Sequence, residues 1–149
     1  MEEQIKQVVE FNEIGGQIRQ NNFNHLDVLS LKLGLIKEEL KELEDASLSH
    51  DREEVLDALA DILYVVYGFA WTYRLDKVLP EAFERVHKSN MSKFPSSNEE
   101  ANATIQKYYK EGIITESKKI GDKYTILRKE DGKILKSINY EPVNLNDLI

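Results

Sequence analysis

Apolar residues recur every three or four positions through the N-terminal part of the chain, which is the spacing of one face of an α-helix. The pattern predicts helices over residues 2–14, 28–46 and 52–73. A polar loop separates the first two, whereas only residues 47–50 separate the second from the third. Because such a short connection makes neighbouring helices antiparallel, we expect the two long helices to form a hairpin.

Capping residues support these helix boundaries. Asp27 and Asp51 each stand where an N-cap is expected, since short polar side chains accept hydrogen bonds from the first free backbone N–H groups of a helix. Pro80 favours the start of a further helix that runs to about Lys88. Residues 99–110 are expected to form one more short helix.

The C-terminal part of the chain has a different pattern. Residues 120–128 and 133–140 are rich in β-branched and aromatic side chains and predict two strands. Asp131-Gly132 lies between them, and an Asp-Gly pair between two such runs is typical of a β-hairpin. We therefore expect a small hairpin at this end of the chain.

A break in the helical pattern over residues 94–98, which contain Pro95, indicates a domain boundary. The prediction is a helical core over residues 1–95 and a C-terminal extension over 96–149 that packs on it. The expected fold class is mainly α: a helical bundle built on an antiparallel hairpin of long helices, with a small C-terminal β-hairpin.

The composition of the 149-residue chain is that of a globular protein, with 41% hydrophobic and 32% charged residues. A net charge of −7 argues against a nucleic-acid partner, because such binding depends on neutralising phosphates. The chain has no cysteine, so it has no disulfide or thiolate site. The first residues lack the basic and apolar pattern of a signal peptide, and the longest apolar run, 62–71, is too short to span a bilayer. We expect a cytoplasmic protein without a membrane partner.

Two acidic clusters stand out on the predicted hairpin. Glu39 and Glu42 are three positions apart, so they share one face of the second helix, next to Glu38. Asp57 and Asp61 are four positions apart and share a face of the third helix. Carboxylates pointing at one spot repel each other unless a cation lies between them, which suggests a magnesium site.

A solvated surface stripe is the alternative interpretation of the first cluster. The second cluster is harder to explain in that way, because aspartate is a poor helix former and these two lie in an otherwise apolar helix. No Arg or Lys occurs between Glu53 and Trp71 to pair with them. Since all the ligands would be oxygen atoms, Mg²⁺ or Mn²⁺ fits the site better than a softer metal.

A basic segment follows the next helix, in a chain that is otherwise acidic. Lys88, Asn90 and Lys93 have the side chains needed to hold phosphate oxygens opposite a metal site. The alternative is that these lysines simply complement the dipole at the C-terminal end of a helix.

Taken together, these three segments resemble the all-α nucleoside triphosphate pyrophosphohydrolases, the superfamily of MazG-type enzymes and phosphoribosyl-ATP pyrophosphohydrolase. Glu39-Leu-Lys-Glu42 is similar to the first motif of that superfamily, Asp61 with its apolar followers to the second, and 88–95 to the third. The superfamily has Glu where this chain has Ala58, so either Asp57 or Glu54 would supply the additional metal ligand, and we favour Asp57.

The resemblance implies Mg²⁺-dependent conversion of an NTP and water to NMP and pyrophosphate, as in nucleotide-pool house-cleaning. The implied metal ligands are Glu39, Glu42, Asp57 and Asp61. The implied general base is Glu38 or Glu42, and the implied substrate-binding residues are Tyr64, Lys88, Asn90 and Lys93. The resemblance also implies a homodimer or homotetramer, for which the candidate contact residues are Phe69, Trp71, Leu75 and Val78. The alternatives are phosphoribosyl-ATP hydrolysis and a non-catalytic helical interaction module.

Overall fold

A computed structural model describes all residues from Met1 to Ile149. The chain forms five α-helices, one two-stranded antiparallel sheet and a short 3₁₀ turn. Their bounds are α1 (Glu2–Ile14), α2 (Leu26–Leu48), α3 (Arg52–Thr72), α4 (Leu79–Met91), α5 (Asn98–Lys110), β1 (Thr115–Ile120), β2 (Lys123–Arg128) and the 3₁₀ turn (Asn146–Leu148). The predicted fold class, mainly helical with a small C-terminal hairpin, is confirmed. The chain divides into two compact units, Met1–Pro80 and Glu81–Ile149.

The long hairpin of α2 and α3 forms as predicted, with one difference at its start. The Asp51 carboxylate accepts hydrogen bonds from the backbone N–H groups of Glu53 and Glu54, at 3.1 and 3.2 Å, and so caps α3. α2 starts earlier than expected, after His25, whose side chain makes no capping hydrogen bond. Asp27 therefore lies within the first turn of α2, where its charge favours the helix dipole.

α1 packs against α3 and completes the core of the N-terminal unit. Ile5 and Val8 of α1 are buried together with Tyr67 of α3. α1 passes directly beside Gly68, since a Cβ atom there would make ordinary van der Waals contacts with Val8 and Asn12, at 3.9 Å from each.

α3 is also the one helix whose length and mean hydropathy, 21 residues and 1.4, would allow it to cross a membrane. The prediction from the sequence was based only on the shorter apolar run within this helix, residues 62–71. Core helices of soluble proteins have the same property, so this single helix is weak support for a membrane location.

The end of α3 is fixed by the segment that follows α1. Arg19 forms an ion pair with buried Asp76, with 2.8 Å between Nη2 and Oδ2, and its guanidinium lies 5.0 Å from the centre of the Trp71 ring. Trp71 is only 3% exposed and Phe69 packs on Tyr73. Trp71, one of the candidate subunit-contact residues, is therefore covered by its own unit, whereas Phe69 is half-buried.

The C-terminal hairpin lies earlier in the chain than predicted: its strands span residues 115–120 and 123–128, not 120–128 and 133–140. β1 pairs antiparallel with β2, from Thr115 opposite Arg128 to Ile120 opposite Lys123. The turn between them uses Gly121, whose φ of 61° is in the left-handed region that glycine adopts without strain.

The predicted strand over 133–140 is wrong. Only a single bridge, between Leu127 and Ile134, continues the sheet there. Asp131 accepts hydrogen bonds from the Arg128 side chain and from the Lys133 backbone N–H, so the Asp-Gly pair makes a tight return against β2 and not a hairpin between two full strands.

α4 belongs to the C-terminal unit, because the tail of the chain is bonded to it. Ser89 Oγ donates to the Glu141 carbonyl at 2.8 Å, and Arg85 holds both carboxylate oxygens of Asp147. Along the chain, the division between the two compact units falls between Pro80 and Glu81. The core of this unit is formed by Ala101, Tyr108, Ile126 and Leu135.

Glu100 is a half-buried residue of the same unit whose carboxylate accepts several hydrogen bonds. Its carboxylate accepts hydrogen bonds from the Ser137 hydroxyl and from the backbone N–H and hydroxyl of Ser96. Burial would by itself raise the pKa of Glu100, but hydrogen bonds from Ser137, Ser96 and Asn139 outweigh burial and lower the pKa below its ordinary value. The folded state therefore prefers the ionised form, so Glu100 stabilises the unit above the ordinary glutamate pKa and this stability is lost as the pH falls.

We expect Glu100→Gln to destabilise the C-terminal unit by about 1–3 kcal/mol, because an amide NH₂ would face donors that now bond a carboxylate oxygen. Faster amide hydrogen exchange in α5 and β2 at neutral pH measures the effect. The neighbouring Glu99→Gln is the matched control, since Glu99 is exposed in the same first turn of α5. Equal exchange rates in the two variants would contradict this role for Glu100.

Candidate active site

The acidic residues of α2 and α3 meet around Glu39. Its Oε2 atom is buried and has no hydrogen-bond partner. Burial raises the pKa of Glu39, and the charges of Glu42, Asp61, Glu38 and Asp57 raise it further. The hairpin therefore brings together all five of the acidic residues that were predicted as metal ligands or catalytic residues.

The five carboxylates differ in exposure. Glu39 and Asp61 are half-buried, whereas Glu38, Glu42 and Asp57 are exposed. Asp57 is among the charges that act on Glu39, which supports it as the residue that stands in for the missing glutamate at Ala58. Ala58 itself is buried between the helices, at 3% exposure.

A buried acceptor without a partner, surrounded by other carboxylates, is what a cation site requires. The donor atoms are all oxygen, which suits Mg²⁺. The ligand geometry is not yet formed, however, because no three acidic or histidine side chains of the chain stand close enough together to hold a metal ion. The residues fit the metal by chemistry, and their side chains would have to close around it.

Tyr64 lies one turn beyond Asp61 on α3 and is 39% exposed. Its ring meets the ring of Phe11 from α1 edge to face, with 5.6 Å between the centroids. Phe11 is 62% exposed. The pair forms an open aromatic surface near the carboxylates, of the kind on which a base can stack.

Lys32 is a further residue of this face, and it was not predicted from the sequence. It lies two helical turns before Glu39 on α2 and is half-buried, and burial lowers the pKa of its ammonium. Lys32 forms no ion pair, although the surrounding unit is rich in acids. The available signal was its spacing of seven residues from Glu39, which places both on one side of the helix.

The three predicted phosphate-binding residues lie at the end of α4 and just beyond it. Lys93 Nζ donates to Asn90 Oδ1 at 2.8 Å, so these two residues support each other. Lys88 is exposed and forms no ion pair. All three belong to the C-terminal unit, whereas the carboxylates belong to the N-terminal unit.

Comparison with known families supports the resemblance. The sequence model of the phosphoribosyl-ATP pyrophosphohydrolase family matches residues 19–90. This family is part of the MazG-like all-α NTP pyrophosphohydrolase superfamily, so the expected relationship is confirmed. The matched segment includes every residue of the carboxylate cluster together with Lys88 and Asn90. The family indicates a pyrophosphohydrolase, that is, a hydrolase acting on phosphoanhydride bonds.

The chain is also similar to an uncharacterized protein, L479, of Acanthamoeba polyphaga mimivirus. The two are 28% identical over 235 aligned positions, which cover 95% of this chain and 94% of the relative. Since the alignment is longer than this chain, the relative carries inserted residues. No solved structure matches the chain.

Proposed function

We propose that this chain, whose residues 19–90 carry the pyrophosphohydrolase segment of the all-α superfamily, is a Mg²⁺-dependent nucleoside triphosphate pyrophosphohydrolase. The reaction would convert an NTP or dNTP and water to the monophosphate and pyrophosphate. The observation that carries the proposal is the buried, unpartnered carboxylate oxygen of Glu39, with four further carboxylates acting on it.

The proposal assigns the metal to Glu39, Glu42, Asp57 and Asp61. When bound, Mg²⁺ would neutralise triphosphate charge and lower the pKa of a bound water. A chain with a net charge of −7 would otherwise repel such a substrate.

The remaining roles fall to the chain's own side chains. Glu38 or Glu42, both exposed beside the cluster, takes the proton of the attacking water as general base. Tyr64, with Phe11, offers its exposed ring to the base. By their similarity to the third motif, Lys88 and Lys93 are assigned to phosphate oxygens, and Asn90 assists them.

Phosphoribosyl-ATP is the second candidate substrate, and the family match favours it at least as well. It presents the same triphosphate group, so the same carboxylates would serve either reaction. The choice between the two substrates depends on the surface that receives the base.

A substrate panel tests the proposal and ranks the two candidates. We expect pyrophosphate release from at least one (d)NTP or from phosphoribosyl-ATP in Mg²⁺, with kcat/KM highest for the true substrate, and no release in EDTA. Folded protein that releases pyrophosphate from none of them would overturn the proposal and favour the non-catalytic interaction module.

A homodimer or homotetramer is the assembly that we propose for the enzyme. The support is a set of exposed leucines on the two long helices, which would be unusual on a solitary hairpin. These leucines are Leu31, Leu33, Leu40, Leu56, Leu59 and Leu63. A second copy of the same face would cover them, as apolar stripes of packed helices do.

We expect sedimentation at micromolar concentration to give a dimer or a larger species, and Leu56→Glu to shift it toward the monomer. Leu56 is 69% exposed, so the charge would cost the single chain little. Ile114→Glu is a matched control, since Ile114 is 67% exposed in the other unit. A wild-type monomer would contradict the proposed assembly.

A further inference from the structure

A groove of about 340 Å³ opens on the C-terminal unit, outside the carboxylate cluster. It is lined by Lys88 and Met91 from the end of α4 and by Lys123, the first residue of β2. Phe94 and Glu100 also line it. The groove is therefore lined both by Lys88, which lies in the segment that the family model matches, and by Lys123, which lies beyond that segment.

A backbone hydrogen bond fixes this arrangement. The Tyr124 N–H donates to the Pro95 carbonyl at 2.9 Å and so holds the start of β2 beside the segment that follows α4. Lys123 is the neighbour of Tyr124 and takes its position from that bond. The two lysines are therefore brought to one groove by the fold and not by proximity in sequence.

The charges of the groove favour an anion. Neither Lys88 nor Lys123 forms an ion pair within the chain. Of the two lining acids, Glu100 has both oxygens engaged by Ser96 and Ser137. Glu141 is then the one acid available to face two lysines.

The groove also offers apolar surface beside the lysines. Met91 is 41% exposed, and Phe94, which also lines the groove, is half-buried. Two lysines in one groove suit the phosphate end of a ligand, and Met91 and Phe94 can add apolar contacts to it.

We propose that this groove binds the phosphate end of a nucleotide, between Lys88 and Lys123 and beside the apolar side chains of Met91 and Phe94. The choice of a nucleotide rests on the proposed function, because Lys88 is assigned to substrate there. The new element is Lys123, which makes the C-terminal extension part of the ligand site and gives that extension a role beyond stability.

Calorimetric titration of the full-length protein with ATP in EDTA at low salt tests the proposal without metal or turnover. We expect Lys123→Ala to weaken ATP binding about tenfold, the loss of one charge-assisted contact, and Lys123→Arg to restore most of it. Lys118→Ala is the matched control, since Lys118 is exposed on the same hairpin and lies outside the groove. Near-UV circular dichroism checks that each variant is folded.

Tripolyphosphate serves as the second probe. We expect it to bind more weakly than ATP, because it lacks the nucleoside. Its affinity should also fall in Lys123→Ala, because it presents the same phosphate groups. Equal loss of affinity in Lys118→Ala and Lys123→Ala, or no ATP binding by the wild type, would overturn the proposal. Lys123-dependent ATP binding in a protein that releases no pyrophosphate in Mg²⁺ would support the groove and contradict the proposed reaction, so the two failures are distinguishable.

Discussion

Asp61→Asn is expected to reduce Mg²⁺-dependent pyrophosphate release by roughly 100-fold or more while leaving the helical content unchanged. Asp61 is half-buried on α3, and its charge acts on Glu39 across the hairpin. The substitution keeps the shape of the side chain and removes the charge that a cation would bind. Steady-state kinetics and far-UV circular dichroism measure the two quantities.

Asp27→Asn is the control for Asp61→Asn, because Asp27 is an exposed aspartate in the first turn of α2, outside the cluster. It should retain nearly full activity. If Asp61→Asn also kept full activity, the assignment of this carboxylate cluster to the metal would be wrong.

Glu39→Gln is expected to make the protein more stable than the wild type in EDTA and less stable than the wild type in Mg²⁺. In EDTA its melting temperature should rise above that of the wild type, because burial and four neighbouring charges disfavour the ionised Glu39 and the substitution removes that cost. In Mg²⁺ the wild type should gain stability, by about 2.7 kcal/mol at 100 times the Kd, whereas the variant should gain almost none.

Thermal melts of both proteins in EDTA and in a series of Mg²⁺ concentrations make the comparison. Glu44→Gln provides the control, since Glu44 is an exposed glutamate of the same helix. That variant should keep the wild-type response to Mg²⁺. A Glu39→Gln protein that is destabilised in EDTA and still responds fully to Mg²⁺ would show that Glu39 is not a ligand.

The helical part of the fold was predictable because its signals are local. The apolar spacing defined α1, α2 and α3, and Asp51 marked a true cap. The start of α2 was missed because its N-cap, His25, makes no side-chain hydrogen bond and so leaves no capping signal.

The C-terminal unit was harder to predict because its signals compete. Gly121 and the Asp131-Gly132 pair are both turn residues, and only the first joins two full strands. The preference is set by burial of Ile126 against α5, a contact between distant residues that periodicity does not reveal. The place of α4 depends likewise on long-range bonds from Ser89 and Arg85 to the tail.

Those residues of the candidate site were predictable whose side-chain type is unusual for its position in the sequence. Carboxylates in an apolar helix are costly, and this cost identified Asp57 and Asp61. Lys32 and Lys123 were missed because a single lysine is common on any surface. Lys32 is distinguished by its partial burial, and Lys123 is distinguished by lining the same groove as Lys88.

Product analysis by phosphorus NMR, with Mg²⁺ and with EDTA, shows directly which phosphoanhydride bond is hydrolysed. Wild-type protein is incubated with the best substrate of the panel, and the phosphorus-containing products are identified. We expect pyrophosphate and the corresponding monophosphate in Mg²⁺ and unchanged substrate in EDTA. Release of inorganic phosphate with a diphosphate, or the same products at the same rate in EDTA, would contradict it.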